Sequence, residues 1–240
     1  MKGLGTIINV VFIIVGGLLG NIFGNRLPGR YQDTIMKANG VAVLFIGIGG
    51  AMSQMLVIHD MSLETQGTMM MTVSLSLGAI IGELLRIDYR LEQFGEWLKL
   101  KTGNAKEAGF VDGFVTATMT VCIGAMAVIG SIEDGIYGDY SILLAKAILD
   151  LVIIMIMSAS LGKGCIFSAV PVGLFQGCIT LSAGFLAPVI TDASMAYLSF
   201  VGSILIFCVG MNLLWEKTIK VTNLLPALVI AVLWSYISVG

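Results

Sequence analysis

The chain has 240 residues, 57% hydrophobic and 12% charged, with a mean hydropathy of +0.97. Soluble domains carry about 25% charged residues, so a water-exposed globule is excluded. The apolar runs are continuous over about 20 residues rather than alternating over about ten, which excludes a membrane β-barrel and points to an all-α, polytopic membrane protein. The net charge of −2 says little about partners by itself, and no nucleic acid is expected among them.

About eight spans are expected, forming one transmembrane domain over 1–240. The first, 5–23, is too long for a signal-peptide core and has no small-residue cleavage pattern, so it reads as a retained span. Gly16, Gly20 and Gly24 give it a face that a second helix can approach closely, and Asn9 sits two turns earlier. Asn25 to Lys37 reads as a loop with Arg26, Arg30 and Lys37, and the second span as 39–58 with Gly47 and Ala51 on one face. His59 to Gly67 reads as a loop with Asp60 and Glu64. The third span, 68–85, carries Ser74, Gly78 and Gly82 on one side.

Residues 86–102 differ in kind. Ile87, Leu91, Phe94 and Leu98 recur at helical spacing among Arg90, Glu96 and Lys99, with Trp97 as an interfacial aromatic. This predicts a cytoplasmic amphipathic helix on the membrane surface, or a connector between two halves.

The fourth span is expected at 109–130, with Thr116, Thr120 and Gly124 as a small polar stripe. An acidic loop with Glu133, Asp134 and Asp139 follows. The fifth span, 143–163, carries Lys146 and Asp150 inside an apolar run. The sixth, 165–187, contains Pro171, Gly173, Gln176 and Gly177, and the proline predicts a kink. The seventh and eighth are expected at 196–214 and 221–237.

On this scheme Arg26, Arg30, Lys37, Arg86, Arg90, Lys99, Lys101, Lys106, Lys163, Lys217 and Lys220 fall on one side. The opposite loops hold Asp60, Glu64, Glu133, Asp134, Asp139 and Asp192 without Lys or Arg. The positive-inside rule puts the basic side in the cytoplasm and both termini outside. An internal repeat is suggested by two matches. Asn9 to Val15 resembles Asp150 to Ile156, and Gly40 to Gly47 resembles Gly202 to Gly210. The first joins spans of the same orientation and the second opposite ones, so a chance match in apolar sequence competes with duplication.

The candidate solute or ion pathway residues are Asp150, Lys146, Gln176, Asn9, Thr116 and Thr120. A charge at mid-bilayer costs about 3 kcal/mol on insertion scales, so Asp150 is expected to face protein or a water-filled cavity. Lys146 lies four residues from it, on the same helix face. The pair reads either as a structural ion pair or as a cation- or proton-binding carboxylate with a biasing partner, while Lys146 could also snorkel outward. Gln176 and Asn9 read either as helix–helix bonds or as solute contacts. Cys122, Cys165, Cys178 and Cys208 show no CxxC spacing, and His59 is the single histidine. No metal site, cofactor or catalytic motif is expected, hence no enzyme.

Several stretches carry a family resemblance: Gly5-Thr-Ile-Ile-Asn9, Gly16-Gly-Leu-Leu-Gly20, Gly40 to Gly47, Thr116-Ala-Thr118, Cys122-Ile-Gly-Ala-Met126, Gly130-Ser-Ile-Glu-Asp-Gly135, Gln176-Gly177 and Asn223-Leu-Leu-Pro-Ala227. In this order they resemble the YqgA/YdfK-like bacterial inner-membrane proteins, domain of unknown function 554. The resemblance implies a location in the bacterial cytoplasmic membrane and suggests transport. It supplies no site residues. The expected function is a small secondary transporter or channel-like carrier of a small solute or ion. The alternative is a membrane scaffold or regulatory partner, and the small-residue helix faces could equally drive a homodimer.

Overall fold

The computed structural model describes residues 2–24, 28–59, 62–107, 109–122, 125–186, 188, 190–215 and 218–237. Arg26, Asp60, Gly124 and Lys217 lie outside these. Among the described residues six helices are long and apolar enough to cross a membrane. They are α1 (Leu4–Gly24), α2 (Gly29–Met55), α3 (Thr68–Leu85), α7 (Ser141–Leu161), α8 (Ala169–Leu186, preceded by a 3-10 turn at Lys163–Ser168) and α9 (Asp192–Leu214). α5 (Phe110–Cys122) and α6 (Ala125–Tyr137), at 64° to one another, are apolar enough together for a seventh, broken span or for a re-entrant loop. In place of the eighth expected span lies a shorter apolar helical stretch, Val221–Ile237, comprising a 3-10 turn and α10 (Pro226–Ile237).

Several expected boundaries move for identifiable reasons. The loop expected from Asn25 to Lys37 is helical from Gly29 onward. An exposed Lys37–Asp33 pair at 2.9 Å and i,i+4 spacing supports that extra turn. The next loop contains a hairpin, β1 (Leu56–His59) with β2 (Ser62–Thr65), because apolar and β-branched residues continue past the span. The segment expected as the fourth span comprises two helices, α5 and α6, rather than one. The acidic loop begins late, since Glu133 and Asp134 belong to α6. Pro171 produces no mid-helix kink: it stands at the third residue of α8, where its missing N–H has no partner to lose.

The chain divides into two compact units. The first holds the N-terminal residues through Asn39, Leu91–Cys122 and Met126–Pro188. Here α1 and α7 run parallel with backbones almost touching. A Cβ at Gly16, Gly20 or Gly24 would overlap the carbonyl oxygens of Leu151, Met155 and Ala159 in turn. Against α1 lies α8, antiparallel: Thr6 Oγ1 is 3.5 Å from Thr180 Oγ1, and Val10 faces Gly173. α5 runs antiparallel to α7, with Gly113 against Leu161 at one end and the Val121 carbonyl against Lys146 at the other. The core between these four helices is formed by Ile13, Ala117, Val121, Ile154, Met157, Cys165, Ala169 and Val172. Ile7, Val11, Ile14, Leu18 and Ile22 cover the opposite side of α1 and are exposed, as a lipid-facing stripe requires.

The amphipathic segment is α4 (Ile87–Lys101). Its apolar side is not wholly free. Phe94 lies 5.9 Å from Phe114 of α5 and 5.8 Å from Trp97, and Gly95 and Leu98 are buried. Trp97 and Leu100 remain exposed.

The second unit, chiefly Gly40–Arg90 and Val189–Gly240, repeats the small-residue device. α3 packs antiparallel on α10 through Gly78 against Ala227, and Gly82 meets Asn223 of the 3-10 turn that precedes α10. α2 meets α9 through Gly47 against Phe207 and Gly210 against Leu44. Asn223, in the 3-10 turn Val221–Leu224, ties three elements together. Its amide donates to Glu83 Oε2 at 2.6 Å, and its carbonyl oxygen accepts the Asp88 N–H at 2.8 Å. That holds the corner at Arg86, where α3 ends in a left-handed conformation and α4 begins. The Asn223-Leu-Leu-Pro-Ala227 stretch is thus a structural corner.

Candidate functional site

Asn9, Lys146, Asp150 and Gln176 all belong to the first unit, and all are buried. Their placement follows from helical spacing. Ile13, Ile154 and Val172 belong to one apolar cluster. Asn9 is four residues before Ile13, Asp150 four before Ile154, and Gln176 four after Val172. α8 runs opposite to α1 and α7, so these offsets point the same way along the bundle. One turn beyond the apolar layer lies a polar one.

Lys146 and Asp150 form an ion pair within α7. The ammonium also donates to the Val121 carbonyl of α5 at 2.7 Å. Lys146 therefore does not snorkel to the interface: its Nζ stays inside and neutralises the carboxylate. Asn9 on α1 stands near enough to Asp150 to act on it electrostatically, but its side chain makes no hydrogen bond of ordinary geometry.

Two amides stand out in this layer. Both polar atoms of Asn9 and both of Gln176 are buried and lack hydrogen-bond partners in the protein. Each such group costs about 1–3 kcal/mol when nothing satisfies it. Gln176 is bracketed on α8 by Gly173, which faces Val10, and Thr180, which faces Thr6. Asn9 sits between Thr6 and Val10. The two amides thus occupy the same level of the α1–α8 contact.

Cavities open at both ends of this bundle. One of about 620 Å³ is lined by Lys2, Thr6, Ile7, Gly177, Thr180 and Leu181 among others, and reaches the residue next to Gln176. A second of about 300 Å³ lies at the far ends of α1 and α7, lined by Asn21, Gln32, Glu107, Ser158 and Ser160 among others. Ile13, Val121, Ile154, Met157 and Val172 fill the layer between.

Thr116 and Thr120 lie on α5, which reaches the same layer through the Val121 carbonyl. Thr120 donates its hydroxyl to the Thr116 carbonyl at 2.8 Å, within α5. The neighbour that matters is Thr118, buried and without a partner for its Oγ1. Its spacing from Phe114 and Val121 places it on the inner face, but α5 carries threonines at 116, 118 and 120 on different sides, which hides that phase. Asp134 was equally hidden among loop-like acids. It is fully buried, and its carboxylate accepts the N–H groups of Gly3 at 3.1 Å and Gly5 at 3.0 Å. It thereby caps the N-terminus of α1, where a helix dipole favours negative charge. The spacing of Ala127, Gly130, Ser131 and Asp134, one face of a helix, was the available signal.

Comparison with known proteins agrees with a membrane protein. A family described as "Protein of unknown function (DUF554)" matches residues 4–236. The chain is 30% identical over 226 residues to the "Uncharacterized membrane protein YdfK" of Bacillus subtilis (strain 168), covering 94% of this chain and 93% of that one. It is 28% identical over 232 residues to the "Uncharacterized protein YqgA" of Escherichia coli (strain K12), covering 95% and 94%. No solved structure matches.

Proposed function

The chain belongs to the DUF554 family, and from that premise we propose that it is a carrier or channel-like transporter of a small solute or ion, working through the polar layer of its first unit. The observation that carries this reading is the set of buried, unpartnered amides beside an ion pair, with an open cavity at each end of the same bundle and an apolar layer between. Folded proteins keep nearly all buried polar groups bonded, so an unpartnered one calls for an explanation, a bound solute, ion or water among them. In this reading Asp150 is the coupling or gating carboxylate and Lys146 its partner. Asn9 and Gln176 contact the solute. Ile13, Val121, Ile154 and Val172 form the barrier that the solute passes.

The location we propose is the bacterial cytoplasmic membrane, with the basic loops inside and both termini outside. The test is reconstitution of the purified protein into liposomes under imposed proton and sodium gradients, with a panel of small solutes and ions. Solute flux and charge movement are read for wild type, Asp150→Asn and the charge-free pair Lys146→Met/Asp150→Leu. Saturable flux by wild type that either variant loses, with insertion verified, supports the reading. Silence of the inserted wild type across the panel overturns it. A scaffold or regulatory role then takes its place, favoured by the exposed Tyr89, Trp97 and Leu100 of α4. That role predicts recovery of a stoichiometric partner by cross-linking.

A further inference from the structure

Resting on the carrier reading, we propose that the solute is a small uncharged molecule with a hydrogen-bond donor and acceptor on one edge, of the primary amide or urea class, bound between Asn9 and Gln176. The argument begins with what the polar layer leaves unsatisfied. Each of these side chains presents a carbonyl oxygen and an NH₂ group; all four atoms are buried without a hydrogen bond of ordinary geometry, Asn9 standing beside the Asp150 carboxylate and Gln176 beside no partner. A cation would satisfy the two oxygens and strand the two NH₂ groups. An anion would do the reverse. A solute carrying C=O and N–H side by side satisfies both kinds at once, pairing edge to edge with a carboxamide.

Charge argues the same way. Lys146 and Asp150 neutralise each other, and the Lys146 ammonium is further held by the Val121 carbonyl. An entering cation meets that ammonium, and an entering anion meets the Asp150 carboxylate. Burying either without a counter-ion is costly, whereas a neutral solute carries no such penalty. The entry cavity agrees. Among its lining residues Lys2 is the one with a charge, and the rest are glycines, threonines and aliphatic residues. At Gly177 and Gly184 a Cβ would meet nothing within 4 Å, so the α8 wall of that cavity is open, at Gly177 as far as the residue next to Gln176. Thr6 and Thr180 stand between the cavity and the amides as neutral hydroxyls.

The experiment uses acetamide as the probe, with wild type, Asn9→Leu, Gln176→Leu and Asp150→Asn. Radiolabelled acetamide entry into proteoliposomes is measured beside sodium, potassium and proton flux, and thermal unfolding in detergent is measured with and without acetamide. Replacing the unpartnered Gln176 amide by an apolar side chain of similar size leaves the ligand-free protein at least as stable, and the ligand-free unfolding temperature checks that Asn9→Leu, which also alters the surroundings of Asp150, is folded. The expected result is saturable acetamide entry that falls about tenfold in each amide variant, the effect of removing a solute hydrogen bond. Acetamide raises the unfolding temperature of wild type and not of the amide variants. Acetamide entry equal in wild type and both amide variants overturns the subsite. Sodium, potassium or proton flux that requires Asp150, with no acetamide entry, overturns the solute class and leaves the carrier reading standing. Absence of every flux overturns both.

Discussion

Lys146 and Asp150 sit one helical turn apart in a layer that water reaches poorly, and that fixes how they respond to substitution. Removing one partner of a buried pair leaves an uncompensated charge, at a cost of about 3–5 kcal/mol. Removing both leaves the α7 side of the layer apolar and continuous with Ile154, with no unpaired charge. Lys146→Met and Asp150→Leu should each lower the unfolding free energy in detergent by about that amount, and the double variant should regain most of it. A double variant as unstable as the sum of the singles would show that the two side chains stabilise the bundle separately. These two residues, with Asn9 and Gln176, were legible because a polar group is conspicuous in an apolar run. Thr118 and Asp134 were not. Thr118 differs from its neighbours Thr116 and Thr120 only in helical phase, which tertiary packing decides. Asp134 lies among loop-like acids, and its role depends on Gly3 and Gly5, far away in sequence.

Among elements, glycine spacing decides which helices can meet. Gly16, Gly20 and Gly24 bring α1 onto the carbonyls of α7, and no rotamer change can make room for a methyl group against backbone on both sides. Gly20→Ala should therefore cost at least about 3 kcal/mol, the upper end of overpacking effects. Gly49, on α2, meets nothing within 4 Å, and Gly49→Ala should be neutral or stabilising by about 0.5–1 kcal/mol. Equal effects in thermal unfolding would contradict the backbone contact. The glycine faces were legible in the sequence, but their partners were not. The resemblance between Gly40 to Gly47 and Gly202 to Gly210 has a physical reading of this kind. The two stretches pack antiparallel on each other in reciprocal register, Gly47 against Phe207 and Gly210 against Leu44. Each helix offers the same step of its repeat to the other, a local two-fold crossing.

For the molecule as a whole, the membrane class follows from composition, and six or seven spans follow from helix length. The 64° break between α5 and α6 was not legible, because hydropathy runs unbroken across it. Orientation rests on the separation of basic and acidic loops. In a background without native cysteines, labels at positions 62 and 138 should react from the outside, and at position 103 only from within. Ser62 lies on the hairpin, residue 138 in the turn before α7, and Gly103 just after α4. Consistent labelling in the opposite sense would invert the proposed topology.

The α1–α7 contact has a mechanical consequence for the polar layer. Backbone locked against backbone does not slide by fractions of a residue, so α1 and α7 form one stiff arm that carries Asn9, Lys146 and Asp150 together. Gln176 rides on α8, which meets α1 through side chains, with two hydroxyls 3.5 Å apart. The weaker seam therefore runs through the middle of the layer. A molecule bonded to Asn9 on one side and Gln176 on the other is a clasp across that seam, and letting it go and parting the two arms are the same event.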